Sequence, residues 1–359
     1  MAGGDRRIHW LSIGACVLVL ALFGASTASA EALSDEALRI ADALGYDEAS
    51  IQKLMAGKIV SHQLHDEEKK ELALTVAVVV PSAPKRIYAD LESKTFFEVD
   101  RTIHSWGPIL DSPATAASFA ELVLPDSELD ALLAPRAGDK HNLSADEITS
   151  LVATAKESAG QSKGERRNAT MQAYRELLAA RIETYRASGI AGIAPYQRKK
   201  KRSEPAKDLA RALPPSSSLI AQEAPEFYRR LSAHPIQTTS GVPVDGVEDQ
   251  FLWLLQGLND RPAVVLVHRV VGRDHANTYA AHRDFYVSHT VDALQIIVGC
   301  LPLGPDKSVF FYANRTYTEQ VAGFGSGMAH GIGRKILNKE VRALLDAILA
   351  EYRAEASSE

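Results

Sequence analysis

The chain is short of cysteine, of aromatic residues and of net charge. It has two cysteines in 359 residues, and Cys16 lies inside the apolar run near the N-terminus. Cys300 is alone in the remainder, which excludes an intrachain disulfide and a C-x-x-C redox or zinc motif. The formal net charge is −5, so no overall positive field points to nucleic acid. After residue 30 no apolar run approaches the ~18–20 residues of a membrane span. There is no G-x-S-x-G turn to expose a strained serine, and no G-x-x-x-x-G-K-[ST] phosphate loop. No H-x₃-H pair offers the short histidine spacing of a structural zinc site.

The N-terminus, by contrast, is strongly marked. Arg6 and Arg7 precede the mostly apolar stretch 8–23, and Ala28-Ser29-Ala30 forms an A-x-A cleavage site. Residues 1–30 read as a secretory signal peptide, cleaved after Ala30. The alanine-rich composition has a bacterial style, so the expected destination is the periplasm. An exported chain of this length without disulfides relies on its core, and it is long enough to bury a large one.

Three further regions follow. In 31–110, residues 34–57 have helical spacing, "GKIVSHQL" and the valine-rich "ELALTVAVVV" read as strands, and "SAPKRIYADLE" reads as a helix with Pro84 in its first turn. The segment 111–235 is helical and reads as an insertion. Ser144 and Glu147 form a capping box, and Met171, Tyr174, Leu178, Ile182 and Tyr185 share a face that ends at Gly189. In 236–359, "VEDQFLWLLQGL" reads as a short amphipathic helix. "PAVVLVHRVVG", "YAAHRDFYVSHTVDALQIIVG" and "SVFFYANRTY" read as strands, and "GFGSGMAHGIG" as a flexible turn. A helix is expected from about Arg334 to Tyr352, with Leu337, Val341, Leu344, Ile348 and Tyr352 on one stripe. The order is α+β, and the consecutive strands can pair antiparallel.

The opening "ELALTVAVVVPSAPKRIYADLE" resembles the start of START-like (SRPBCC, helix-grip) domains, and the ending in strands and a long amphipathic helix is similar to theirs. This resemblance implies a curved antiparallel sheet gripping the terminal helix, with a cavity between them. The segments "GKIVS", "GVEDQFLWL", "VLVHRVV", "FYVSHTVDAL" and "YANRTYTEQVAGFGSG" also resemble a family of exported bacterial proteins, in which a Tyr-x-Ser-His-x-x-Asp-Ala pattern recurs. That likeness implies no activity of its own.

The stretch "RDFYVSHTVDALQIIVG" carries Ser288, His289 and Asp292 in an otherwise apolar run. Neighbours on a regular strand point to opposite faces, so Ser288 and His289 diverge, against a catalytic triad. His275, His282 and His289 recur every seven residues, an odd interval that places alternate histidines on opposite faces, so no metal is expected. Regular alternation puts His282, Asp284, Tyr286 and Ser288 on one face. Arg283, Phe285, Val287 and His289 then fall on the other. The candidate ligand-binding residues are Trp253, His268, Tyr286, Ser288, His289, Asp292, Asn314 and Arg315, placed in a mainly apolar cavity. Tyr312 is a further polar neighbour. A buried polar network that only fixes strand register is the competing reading.

The function expected is binding of an apolar or amphipathic, lipid-like small molecule, with no cofactor and no covalent chemistry. Two alternatives remain open. One is an enzyme with His289 or His282 as general base. The other is a non-catalytic interaction protein of the envelope. The basic run Arg198, Lys199, Lys200, Lys201 and Arg202 reads as a solvated loop or as a contact for anionic lipid headgroups.

Overall fold

The structure is a computed structural model. It describes residues 45–357 apart from 94–95, 215–217, 234–245, 275–276 and 323–325. The signal-peptide reading of residues 1–30 therefore lies outside the described residues, as does His275.

Eight strands form one antiparallel sheet. In chain order they are β1 (Val60–Gln63), β2 (Glu71–Val80), β3 (Ile103–Pro108), β6 (Val247–Leu258), β7 (Arg261–Asp274), β8 (Asn277–Val287), β9 (Ala293–Gly304) and β10 (Lys307–Tyr317). Their spatial order is β1-β2-β10-β9-β8-β7-β6-β3. Strands β4 (Tyr196–Gln197) and β5 (Arg202–Ser203) form a separate small hairpin. Chain order thus runs from opening strand to helix α2 (Pro84–Ser93), through the remaining strands, to a long terminal helix, α10 (Ser326–Ala356), packed on the sheet. This is the α+β arrangement that the sequence led one to expect, one antiparallel sheet with a long terminal helix packed on it and a helical segment between β3 and β6.

Each face of the sheet is covered by different helices. On one face α10 and α2 pack through Val341, Leu345, Ile348, Leu349, Tyr352, Ile87, Tyr88 and Leu91 onto Val76, Val78, Val80, Val271, Ala280 and Phe310. Each such side chain, once buried, contributes on the order of 1.5–3 kcal/mol before conformational entropy is charged. The opposite, outer face is covered by α6 (Lys163–Ser188), α9 (Pro225–Ser232) and α1 (Glu48–Met55). There Tyr174, Leu178, Ile182 and Tyr185 meet Phe251, Trp253, Leu266, Phe285 and Tyr286, while Phe227, Leu231, Ile51 and Leu54 meet Val270, Tyr279, Ile297 and Phe311. Gly299 lies opposite Phe311, whose ring covers it. A Cβ there would sit 2.1 Å from the ring.

The local signals account for several elements. Strand β2 spans the valine-rich run from end to end. Ser144 and Glu147 form the capping box of α5 (Ala145–Glu157), and α6 ends at Gly189 with φ 58°, a conformation glycine adopts without strain.

Three expectations are corrected. "VEDQFLWLLQGL" is strand β6. Its first nine residues are all buried, because both faces of the sheet are covered, so no polar–apolar alternation marks it. The expected flexible turn is largely the start of α10, which begins at Ser326, eight residues before Arg334. Two contacts tie this segment to the sheet: Gly333 abuts Leu72 and Val321, and His330 Nε2 donates to the Glu71 carbonyl at 2.6 Å. Finally, the buried stripe of α10 is rotated from the expected one. Leu345 and Leu349 are buried with Val341, Ile348 and Tyr352, while Leu337 and Leu344 lie at its flank, partly exposed.

Candidate functional site: the sheet face beside the terminal helix

The residues expected to share one cavity are divided among three places. For Tyr286 the cause is a β-bulge. Leu266 pairs with Tyr286 but Val267 pairs with Asp284, so Phe285 is an extra residue and the alternation reverses there. His282 and Asp284 face α10. Tyr286, expected on their side, instead packs with Phe285 on the outer face among the α6 residues.

On that outer face His268, Trp253 and Tyr286 are buried. His268 Nε2 lies 2.9 Å from Asp249 Oδ1, and its Nδ1 lies 3.0 Å from the Tyr185 hydroxyl, to which Arg283 Nη1 donates at 2.9 Å. Burial holds the His268 pKa below its usual value, and the charges of Arg283 and Arg230 add to this, against Asp249. A neutral ring suits both contacts: Nε2–H donates to Asp249 and Nδ1 accepts from Tyr185. Tyr286 meets the Tyr174 hydroxyl at 3.0 Å and lies under the Arg181 guanidinium, 4.1 Å from the ring centre. These groups join the helical segment to the sheet. Arg315 pairs with the buried Glu71, which also accepts from the Tyr317 hydroxyl at 3.1 Å.

Ser288, His289 and Asp292 are not on a continuous strand, which corrects the expectation of one long strand. They form the turn between β8 and β9. Ser288 Oγ accepts from Val264 N at 2.9 Å, so its hydroxyl closes the end of the β7–β8 ladder. His289 Nε2 lies 3.0 Å from the Pro262 carbonyl and Nδ1 lies 2.7 Å from Thr290 Oγ1. Both nitrogens are engaged, and burial lowers the ring's pKa. Thr290 adopts φ 69°, unusual for a β-branched residue, and its carbonyl accepts from Thr318 Oγ1 at 2.6 Å. Asp292 accepts from Arg198 Nη2 at 2.5 Å and from Ser203 Oγ, with Lys70 Nζ at 3.8 Å. Asn142 completes the joint, donating to the Val287 and Val291 carbonyls and accepting from Arg198 at 2.6 Å. The turn is thus a clasp for the β4–β5 hairpin, and its three side chains do not converge on a common point.

A different set of residues, most of them missed from sequence, faces the terminal helix. Strand β9 is interior to the sheet, yet its helix-facing Leu294, Ile296 and Val298 are only half-buried. Beside them lie His282 and Asp284 of β8 and Tyr312, Asn314 and Thr316 of β10, in register. Val99, Leu337 and Leu344 pack at the same helix–sheet cluster, and Phe97 turns its ring edge-on to Trp106 and His282. These side chains make up a partly exposed strip of the sheet beside α10, called the trough below, with an apolar floor and two polar groupings.

The first grouping is His282 with Asp284. His282 Nε2 approaches Asp284 Oδ1 to 2.8 Å, but that oxygen has no aligned hydrogen-bond partner, and Asp284 is only 6% exposed. A buried carboxylate oxygen in this state accepts readily from an incoming N–H or O–H. The second is a chain along β10, in which Thr316 Oγ1 donates to Asn314 Oδ1 at 2.8 Å and Asn314 Nδ2 lies 3.4 Å from the Tyr312 hydroxyl. Burial pushes the Tyr312 hydroxyl well above the usual phenol range, so it is neutral. Of the expected residues only Asn314 belongs to this trough. Regular alternation does find His282 and Asp284, which lie before the bulge.

Two other surface recesses, of about 300 and 440 Å³, are lined by Leu122–Arg175 residues of the helical segment and by Lys335–Asp346 residues of α10. Among the described residues, no group of three or more His, Cys, Asp or Glu side chains is placed to hold a metal ion, and no helix is long and apolar enough to cross a membrane.

No family model and no curated protein matches the chain, so the likeness to exported bacterial proteins stands on its motifs alone. Among solved structures, a START superfamily protein from Mycobacterium smegmatis is similar at 13% identity and a TM-score of 0.23, over 29% of this chain and 65% of that one. That is less than two thirds of its length. The Zhui aromatase/cyclase from Streptomyces sp. R1128 is similar at 16% identity and a TM-score of 0.26, over 42% of this chain and 85% of its own. The resemblance to the START superfamily is distant. It is the strand order and the gripped terminal helix that define the fold.

Proposed function

We propose that the chain binds an apolar or amphipathic small molecule in the trough between the sheet and α10. One observation carries this reading: Leu294, Ile296 and Val298, on an interior strand, keep solvent-accessible surface on the face that a helix should seal. Leaving such side chains partly wet forfeits burial worth roughly 25 cal/mol per Å² of apolar surface, which a ligand would recover. Asp284 Oδ1 and the Asn314 amide would orient a hydroxyl or amine on that ligand. The expected lipid-like class fits this pattern of apolar floor and few polar groups.

Purified protein should carry a ligand into native mass spectrometry. Ile296→Trp, which fills the trough, should remove it while the fold is kept. Retention of the same ligand by the folded variant would reject the trough.

A second reading is favoured by the His282–Asp284 approach alone: His282 as a general base oriented by Asp284. It predicts turnover that His282→Gln abolishes while ligand affinity persists. His289 is a poor candidate for that role, because both its ring nitrogens are engaged. We further propose export, with cleavage after Ala30, as the N-terminal motifs suggest. Mass analysis of the envelope fraction should find the chain beginning at Glu31.

A further inference from the structure

We propose that one end of the molecule docks on a lipid bilayer bearing anionic headgroups. This goes beyond the ligand-binding reading and stands on different residues.

The first observation is a pair of exposed apolar side chains. Met328 is 77% and Ile332 51% exposed, two of only five large apolar residues so exposed among the described residues. Their i, i+4 spacing places them one above the other on α10. The same face continues to Lys335 and Lys339, both exposed. An apolar ridge followed by lysines is the pattern of a helix that lies in a membrane interface.

The second is a basic patch formed by two loops. In the β4–β5 hairpin, Arg198 is occupied by Asp292 and Lys201 by Glu319 at 2.7 Å. Lys199, Lys200 and Arg202 are exposed and make no ion pair among the described residues. The loop holding Arg136 and Lys140 abuts this hairpin: Gly138 is so close that a Cβ would sit 2.8 Å from Lys199 N, and φ is 64° there. Arg136 and Lys140 are also exposed, with Asp139 the one carboxylate between them.

Both features lie at the same end of the sheet. Lys201 is tied to Glu319, and the short turn Glu319–Val321 ends against Gly333, the residue after Ile332. The hairpin is itself fixed to the β8–β9 turn by Asp292. The cations are therefore held by a buried clasp next to the first turns of α10. Phosphate headgroups complement the patch, and the acyl boundary complements Met328 and Ile332.

Co-sedimentation with vesicles tests this. The chain should pellet with phosphatidylcholine vesicles containing phosphatidylglycerol and not with phosphatidylcholine alone. The triple variant Lys199→Ser, Lys200→Ser, Arg202→Ser should weaken partitioning on the order of 100-fold. The double variant Met328→Ser, Ile332→Ser should weaken it roughly tenfold. Both should melt like the parent, since every altered side chain is exposed. Ile296→Trp should pellet normally, which keeps this result separate from the fate of the trough. Equal binding to uncharged vesicles, or binding indifferent to either variant, overturns the proposal. So does release by inorganic phosphate beyond that caused by sodium chloride at equal ionic strength, which would assign the patch to a free phosphate. Preferential capture of RNA over vesicles would overturn it as well.

Discussion

Arg198 Nη2 lies 2.5 Å from Asp292 Oδ1 and joins segments 94 residues apart in the chain. Asp292 is 1% exposed, and it is the anion that two basic side chains and the Ser203 hydroxyl share. This contact answers what the polar residues between β8 and β9 do: they fasten the hairpin to the end of these two strands. Asp292→Ala should therefore cost about 3 kcal/mol, at the lower end for a broken buried pair because Arg198 retains some solvent. Urea denaturation checks it. A change within error of zero would mean that the clasp is not formed in solution.

Stability should decline in acid in two stages. His268 and His141 have pKa values held below 6.5, in each case by burial first. Their neutral forms are the folded ones, so their contribution is present above the unfolded pKa and is lost as pH falls below it. Glu128 follows. Burial alone would raise its pKa, but hydrogen bonds from His141 and Arg261, with the Arg261 charge, bring it down to about 2 from 4.5. Its contribution is lost as pH falls from the unfolded value towards 2. Melting temperature against pH should slope downward below about 6.5 and again below about 4.5. A flat profile across both intervals would contradict these assignments.

Leu345 and Leu344 are neighbours with different surroundings. Leu345 is fully buried against the sheet, and Leu344 is partly exposed beside the trough. Leu345→Ala should cost about 2–5 kcal/mol, and Leu344→Ala roughly half of that or less. Adding a lipid extract should widen the gap between parent and Leu344→Ala, because a ligand that binds the intact trough stabilises only the folded form. A large, lipid-independent loss at Leu344 would indicate a solid core there.

Cys300 is fully buried on the helix face, and burial pushes its thiol up to about 12. A thiol in that state is protonated and unreactive at neutral pH. Titration with a thiol reagent should label it only after denaturation. Fast labelling of the native protein would show that α10 lifts from the sheet.

Much of the architecture was legible because local and tertiary signals agree. Strand β2 is valine-rich and bounded by Pro81, and the Ser144–Glu147 and Gly189 signals mark real helix ends. Strand β6 was hidden for a physical reason: Phe251, Trp253 and Leu255 face the helical segment while Leu252 and Leu254 face the other side, so its centre is apolar on both faces, and its polar residues Glu248, Asp249 and Gln250 are consecutive and do not alternate with apolar ones. The bulge at Phe285 is likewise set by the partner strand, and no residue type announces it. That single insertion is why His282 and Asp284 were correctly grouped while Tyr286 was not. The trough floor was missed because Leu294, Ile296 and Val298 look like ordinary core residues until their exposure is seen.

The pairing of β3 with β6 sets a demand on the order of assembly. Ile103 must find Gln256, and the whole helical segment lies between them in the chain. Closing a loop of that size costs conformational entropy before the contact repays it. The remaining strands from β6 to β10 are joined by short connections and can zip together first. The edge strand should then arrive late, after α6 has packed on Phe251 and Trp253, and non-local closure of this kind slows folding. Until it arrives, β6 presents an open, apolar edge, the moment at which the chain is most exposed to aggregation.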